Sequence, residues 1–304
     1  MEYIGEIAAL STAFFWAFTS ILFSESGKLI GAYLLNKIRL LMAVILYASI
    51  LLITTGTVMP GGIGSEQCLW LGLSGVIGLA LGDSSLFKSL LLLGPRLTTL
   101  IFSCNPILTA IIAWVFLGEK LSFLNILGIL ITVSGIIWVV LEKNKENNNA
   151  IPHDRKILIK GGLYALGGAM GQALGLILAK QGMVYSGAQV EPFMASYIRL
   201  LFALSAIWIF SAVRGSLPKV FEAMRNKRAM ALSAGGTIAG PFLGVWLSLV
   251  AIKYIETGIA ATLNALVPIM IIPLVIFYYK EKVSRRSLFG ALLAVVGVSL
   301  LMIY

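Results

Sequence analysis

The residue with the most chemistry to offer is Asp83, a carboxylate inside the apolar run LALGDSSLF. A charged group within a membrane-spanning segment costs roughly 2.5 to 3.5 kcal/mol on insertion scales, so it faces a watery cavity or a partner. Two roles fit Asp83: a proton carrier or binder of a cationic substrate group, and a structural pair with a neighbouring span. Lys88 follows five residues later, about a turn and a half along a helix and nearer the surface, where its long stem lets the ammonium snorkel to the interface. If both groups faced one water-filled cavity, protonation of Asp83 would free Lys88 and act as a switch. Arg39, in YLLNKIRLLMA, and Arg199, in FMASYIRLLFA, occupy corresponding places in two similar stretches. Their recurrence favours a structural or interface role over direct substrate contact.

Amides and aromatics complete the candidate set for substrate binding or coupling. Asn105 immediately precedes Pro106, and Asn264 stands four residues before Pro268. Proline frees a backbone carbonyl from its helical donor, so Pro106 and Pro268 are candidate hinges and pocket walls, with a gentle kink as the plainer alternative. Trp16, Phe87 and Trp246 can line an aromatic pocket and Gln172 can supply an amide, although ordinary packing is the commoner use of such residues. Enzymatic chemistry finds no support. The single histidine, His153, lies in a polar stretch, so no histidine metal cluster and no imidazole-based triad can be assembled. No cofactor or metal is expected. Glu119 and Glu281 sit at the ends of their helices and suit structural turns.

These side chains must be held by membrane helices. The 304 residues are 59% hydrophobic and only 12% charged, with a mean hydropathy of +0.96, whereas soluble domains carry about 25% charged residues. The net charge of +10 therefore belongs to loops that orient spans, not to a nucleic-acid-binding face. Cys68 and Cys104 lie in or beside apolar segments and make no disulfide framework. A spanning helix needs about 20 apolar residues. Ten such runs are present, at 4–23, 32–53, 69–93, 95–117, 123–141, 158–181, 192–213, 229–251, 255–278 and 287–304. The first lacks the basic region and cleavage site of a secretory signal and reads as a retained span. In lipid the backbone must satisfy its own hydrogen bonds, and the alternation of a membrane barrel is absent, so the fold class is all-α.

The chain is also one unit written twice. Residues 78–135 align without a gap on 240–297 at an offset of about 162, matching Gly78 and Gly82 with Gly240 and Gly244, Pro106 with Pro268, Glu119 with Glu281, and Gly128 and Gly135 with Gly290 and Gly297. The copies occupy 1–142 and 158–304, joined by the polar linker 143–157. Five spans per copy is an odd number, so the second copy enters the membrane inverted, an arrangement of secondary transporters with a site near the midplane. Odd-numbered connections hold sixteen Lys and Arg, and even-numbered ones only Lys120, Lys180 and Lys253. The bias places odd connections in the cytoplasm and both termini outside. Small residues at every fourth position, at Ser74, Gly78 and Gly82, at Gly236, Gly240 and Gly244, and at Gly167, Gly171 and Gly175, predict close helix crossings. Where the copies differ, Asp83, Lys88 and Asn105 face Val245, Val250 and Val267, which points to the first copy as the seat of specificity.

The tandem pattern, a proline-containing span leading to Gly118-Glu119-Lys120 or Lys280-Glu281-Lys282 and then a glycine-containing last helix, with an arginine early in the second span of each half, resembles the EamA type of the drug/metabolite transporter superfamily. The resemblance implies a ten-helix inverted-repeat carrier in the cell (inner) membrane, working by alternating access around a cavity formed mainly by the first, third and fourth spans of each half. It also implies small-metabolite or xenobiotic cargo, such as amino acids or purine derivatives, and proton coupling. Members commonly keep both termini in the cytoplasm, against the loop charges here, which leaves import and export both open. With few fixed charges in its spans, the chain fits a neutral, zwitterionic or weakly cationic substrate better than a strongly anionic one. A monomer suffices to enclose such a cavity. A non-transporting sensor or assembly partner is the alternative from another functional class.

Overall fold

A computed structural model describes residues 3–58, 61–142, 155–187, 189–267, 269, 270, 273 and 285–301, and no strand occurs among them. The helices are α1 (Ile4–Ile30), α2 (Ala32–Thr55), α3 (Ser65–Ser74), α4 (Asp83–Phe102), α5 (Asn105–Leu117), α6 (Phe123–Glu142), α7 (Arg155–Val184), α8 (Pro192–Val213), α9 (Leu217–Met224), α10 (Lys227–Thr237), α11 (Val245–Tyr254), α12 (Thr257–Asn264) and α13 (Arg285–Leu301). Gly75–Gly82 joins α3 to α4, and Ile238–Gly244 joins α10 to α11, each wound as a π-helix. Six helical runs are long and apolar enough to cross a bilayer: α1, α2, Ser65–Leu93, α7, α8 and Lys227–Tyr254. Asn105–Leu117, Phe123–Trp138 and Phe289–Leu301 are apolar but shorter.

α4 reverses direction within its length. Ser89 and Thr98 share a 2.9 Å hydroxyl hydrogen bond, although nine residues of straight helix would separate them by about 13 Å. Leu93 abuts Gly161 and Ile101 lies against the neighbouring Gly162, so the arms on either side of Gly94-Pro95 are antiparallel. The division expected there is real, but the expected continuous run 95–117 is not. A turn at Ser103–Cys104 ends α4, and α5 starts afresh at Asn105. Pro106 therefore occupies the first turn of a new helix, where its missing N–H takes nothing from the hydrogen-bond ladder. The expected run 255–278 is interrupted at the corresponding place, after Asn264, by a turn at Ala265–Leu266. Pro268, Glu281 and residues 143–154 of the linker, His153 included, lie outside the described residues. α1 runs on to Ile30, and only Gly31, at φ 84°, separates it from α2.

The two copies clasp each other through their glycines. Gly78 and Gly82 meet Gly175 and Gly171, and a methyl group on Gly171 would stand 2.7 Å from the Gly82 Cα. In the mirrored contact, Gly236, Gly240 and Gly244 receive Phe23, Thr19 and Trp16 of α1. Each copy's third span thus crosses the other copy's first, antiparallel. A second seam pairs α6 with α13: Gly128 packs on Gly297, and Gly135 on Gly290 and Ala294. The 162-residue offset exchanges the two glycine pairs, so a pseudo-twofold axis passes between them, as two inverted copies require. Small residues allow the close approach that holds helices together in lipid. The predicted crossings are thus all occupied.

Candidate functional site

Asp83 is the first residue after the π-helical stretch Gly75–Gly82. The wider winding of such a stretch re-aims the side chains beyond it, and π-helical turns recur at functional positions. The Asp83 side chain is 9% exposed, and both of its oxygens are engaged. Arg39 Nη2 donates to Oδ2, forming an ion pair, and Gln172 Nε2 donates to Oδ1 at 2.5 Å. Arg39 Nε also donates to the Asn36 amide oxygen at 2.8 Å, and the Asn36 amide nitrogen donates to Ser84 Oγ at 3.3 Å. The Arg39 guanidinium lies over Phe87, 5.2 Å from the ring centroid, and over Phe23 at 5.8 Å, a cation–π setting. The network draws on α2 and α4 of the first copy and α7 of the second.

The partner of Asp83 is thus Arg39, not Lys88. Lys88 is exposed and rests its ammonium 4.6 Å from the Tyr164 ring centroid, in keeping with a snorkelling lysine. Arg199, the counterpart of Arg39, is 2% exposed. Its Nε has no hydrogen-bond partner among the described residues, and its charge interacts electrostatically with Asp83 and Tyr47. α8 is pressed so tightly on the π-helical stretch that the Arg199 carbonyl leaves no room for a side chain at Gly75. Asn105 is buried and donates to the Ala169 carbonyl at 2.8 Å, less than one turn along α7 from Gln172. Asn264 is buried at the end of α12, and neither its amide nitrogen nor its oxygen finds a partner among the described residues.

An aromatic wall adjoins Arg199. Tyr47, 0% exposed, stacks on Tyr197 and packs against Phe193 and Phe242, and Trp246 meets Phe193 at 5.9 Å and Phe242 at 6.4 Å. The Tyr47 hydroxyl donates to the Phe242 carbonyl at 2.9 Å, within the π-helical stretch that holds Pro241. Phe193 and Trp246, with Pro192 and Val250, line a cavity of about 340 Å³ whose rim holds Glu191, Lys253 and Tyr254. Trp16 stands apart, filling the groove over Gly244.

The end of the molecule that carries the even-numbered connections is latched by ion pairs. Glu119 accepts from the Thr257 backbone N–H and hydroxyl, both at 2.7 Å, and pairs with Lys180 at 2.8 Å. Its carboxylate caps the N-terminus of α12, where the helix dipole favours a negative charge. Lys180 also donates to the Ile255 carbonyl, and Lys253 pairs with Glu191 at 3.0 Å. Glu119 thus does more than shape a turn: it ties the α5–α6 connection to α7 and α12 of the other copy. Residues that the sequence reading passed over include Glu6 and Lys37, which are 2% and 0% exposed. A charge inside a span was the available signal for both. Lys37 Nζ donates to Ser216 Oγ at 3.2 Å and lies 4.1 Å from the Tyr33 ring centroid.

Comparison with known proteins fits this architecture. One crystal structure, described only as that of a protein, superposes with a TM-score of 0.75 at 15% identity, covering 99% of this chain and 96% of the other; at that identity the likeness establishes the fold alone. No curated protein matches the chain. The model of the EamA-like transporter family matches residues 3–141 and again residues 159–303, one match for each copy. The chain is therefore an integral multi-pass membrane protein that belongs to the EamA-like transporter family.

Proposed function

We propose that the chain is a secondary transporter of ten spans in the cell (inner) membrane, moving a small organic metabolite by alternating access and coupling that movement to protons at Asp83. The observation that carries this reading is the Asp83 carboxylate, buried where the two copies cross and bound by Arg39 of one copy and Gln172 of the other. Helices that cross through bare glycine backbone can rock against each other without repacking large side chains, and a carboxylate shared between the copies senses that motion. Protonating Asp83 removes the charge that holds Arg39 and weakens the tie to Gln172, so occupancy of this one site can set which arrangement of the copies is favoured. The ion pairs around Glu119 support a structure closed at one end. The role first considered for Lys88, release on protonation, passes to Arg39.

The test is reconstitution into proteoliposomes and counterflow measured over a panel of amino acids, nucleobases, polyamines and hydrophobic cations. Saturable exchange of at least one compound is expected. If the whole panel gives neither exchange nor thermal stabilisation, the transporter reading fails.

A further inference from the structure

We propose that Arg199 is the docking point for a single negative charge on the transported molecule, with the neighbouring aromatic wall receiving its apolar body. The cargo is then a small organic monocarboxylate, including zwitterions that carry one, and not a weakly cationic compound. This rests on the transporter reading above and specifies its substrate class.

Charge balance at the crossing of the copies supplies the argument. Two arginines, Arg39 and Arg199, stand at repeat-related positions, but only one carboxylate, Asp83, serves them, because its counterpart is Val245. Each Asp83 oxygen is hydrogen-bonded elsewhere, one to Arg39 and the other to Gln172. Arg199, 2% exposed, leaves its Nε without a hydrogen-bond partner among the described residues, and although the Asp83 charge acts on it, no carboxylate among them lies within ion-pair distance. A guanidinium offers five N–H donors and cannot discharge by losing a proton. Buried with an unmet N–H and no ion pair of its own, it favours the arrival of an anion. Its Nη2 lies against Gly78, the bare backbone of the π-helical stretch, 3.6 Å from where a Cβ would stand. Glycine there keeps an alkyl group away from the charge.

The surroundings select the rest of the molecule. Phe193 and Trp246 line the cavity of about 340 Å³, a volume suited to a small ligand. From Phe193 to Arg199 is six residues of α8, about 9 Å along the axis. Arg199 does not line this cavity; Tyr47, packed on Phe193 and close enough to feel the Arg199 charge, stands between them, so Tyr47 must move aside for a carboxylate to reach Arg199. One surplus positive charge matches a monoanion; a dianion would leave its second charge unpaired.

The experiment uses three probes of one shape, 3-phenylpropanoate, 3-phenylpropanamide and phenethylammonium, on the purified full chain. Thermal stabilisation and tryptophan fluorescence report binding, and counterflow reports transport. The carboxylate alone is expected to stabilise the native protein. Arg199→Gln should lose at least tenfold in apparent affinity, Arg199→Lys should retain part of it, and Asp83→Asn should bind the carboxylate at least as well as the native protein. Without ligand, Arg199→Gln should melt no lower than the native protein, because a buried, unpaired charge has been removed; a purely structural arginine would make it melt lower. Equal stabilisation by amide or ammonium, stabilisation by none of the three, or an unchanged response in Arg199→Gln overturns the proposal. Selective carboxylate binding without counterflow of any compound would sink the transporter reading and leave the anion site standing. Counterflow of amines or neutral compounds that ignores Arg199 would do the reverse.

Discussion

The Asp83 carboxylate, carried by the first copy of the repeat, accepts a 2.5 Å hydrogen bond from the Gln172 amide, carried by the second. This contact joins α4 to α7 at the level where Gly82 meets Gly171, so the Asp83 carboxylate lies on the surface where the two copies meet.

Removing Arg39 should harm the protein more than removing Arg39 and Asp83 together. Arg39→Gln strands a buried carboxylate, and breaking such a pair typically destabilises by about 3–5 kcal/mol. Asp83→Asn/Arg39→Gln strands neither member of this pair and should recover much of the loss. Thermal unfolding in detergent, followed across the single and double variants, checks the ordering; equal melting of Arg39→Gln and native protein would show the ion pair to be of little structural weight.

The glycine crossings should tolerate little. Gly135→Leu would drive a branched side chain into the backbone of α13, where a Cβ already stands 2.6 Å from the Ala294 amide nitrogen. Overpacking of this kind costs about 1–3 kcal/mol or more. Gly118→Ala tests a different property: its φ of 68° is unsuited to a residue with a Cβ, although the space around it is empty. A smaller drop in melting temperature is expected there than for Gly135→Leu.

The latch at Glu119 should set access to the neighbouring cavity, whose rim residues Lys253 and Tyr254 also line the pocket at Glu119. Glu119→Gln removes the charge that pairs with Lys180 and caps α12, weakening closure of that end. A cysteine placed at Val250, in the cavity wall, should then react faster with a membrane-impermeant thiol reagent than it does in the otherwise native background. An unchanged labelling rate would show that Glu119 does not gate this route.

Orientation follows from the same kind of labelling. If the loop-charge bias sets the orientation, the Glu119–Lys180 end lies outside the cell, and cysteines introduced at Lys120 and Glu256 should be labelled in intact cells. Labelling only after permeabilisation would put the latch in the cytoplasm, in keeping with the common family arrangement.

Much of the fold was legible because a duplicated apolar chain constrains itself. Gly78, Gly82, Gly240 and Gly244 announced the crossings through their spacing, and the odd number of apolar runs in each copy announced the inversion. Pro106 read as a hinge or kink within one span over 95–117; the observed form, a turn at Ser103–Cys104 followed by a new helix, depended on backbone geometry that proline alone does not dictate. The site was less legible. Asp83 stood out because its counterpart is a valine, yet spacing along one helix suggested Lys88 as its companion, whereas the partner Arg39 comes from α2, 44 residues away. Arg39 and Arg199 looked alike because the repeat preserves both; only the packing separates the paired one from the unpaired one. Glu119 read as a turn residue because its partners, Thr257 and Lys180, lie in the other copy.

The most direct test of the coupling role is flux driven by a pH gradient in proteoliposomes holding native protein or Asp83→Asn, with a compound that the native protein exchanges. Loss of the pH-driven component in Asp83→Asn, with exchange in the absence of a gradient retained, is the predicted result. Flux and pH dependence equal to those of the native protein would contradict it.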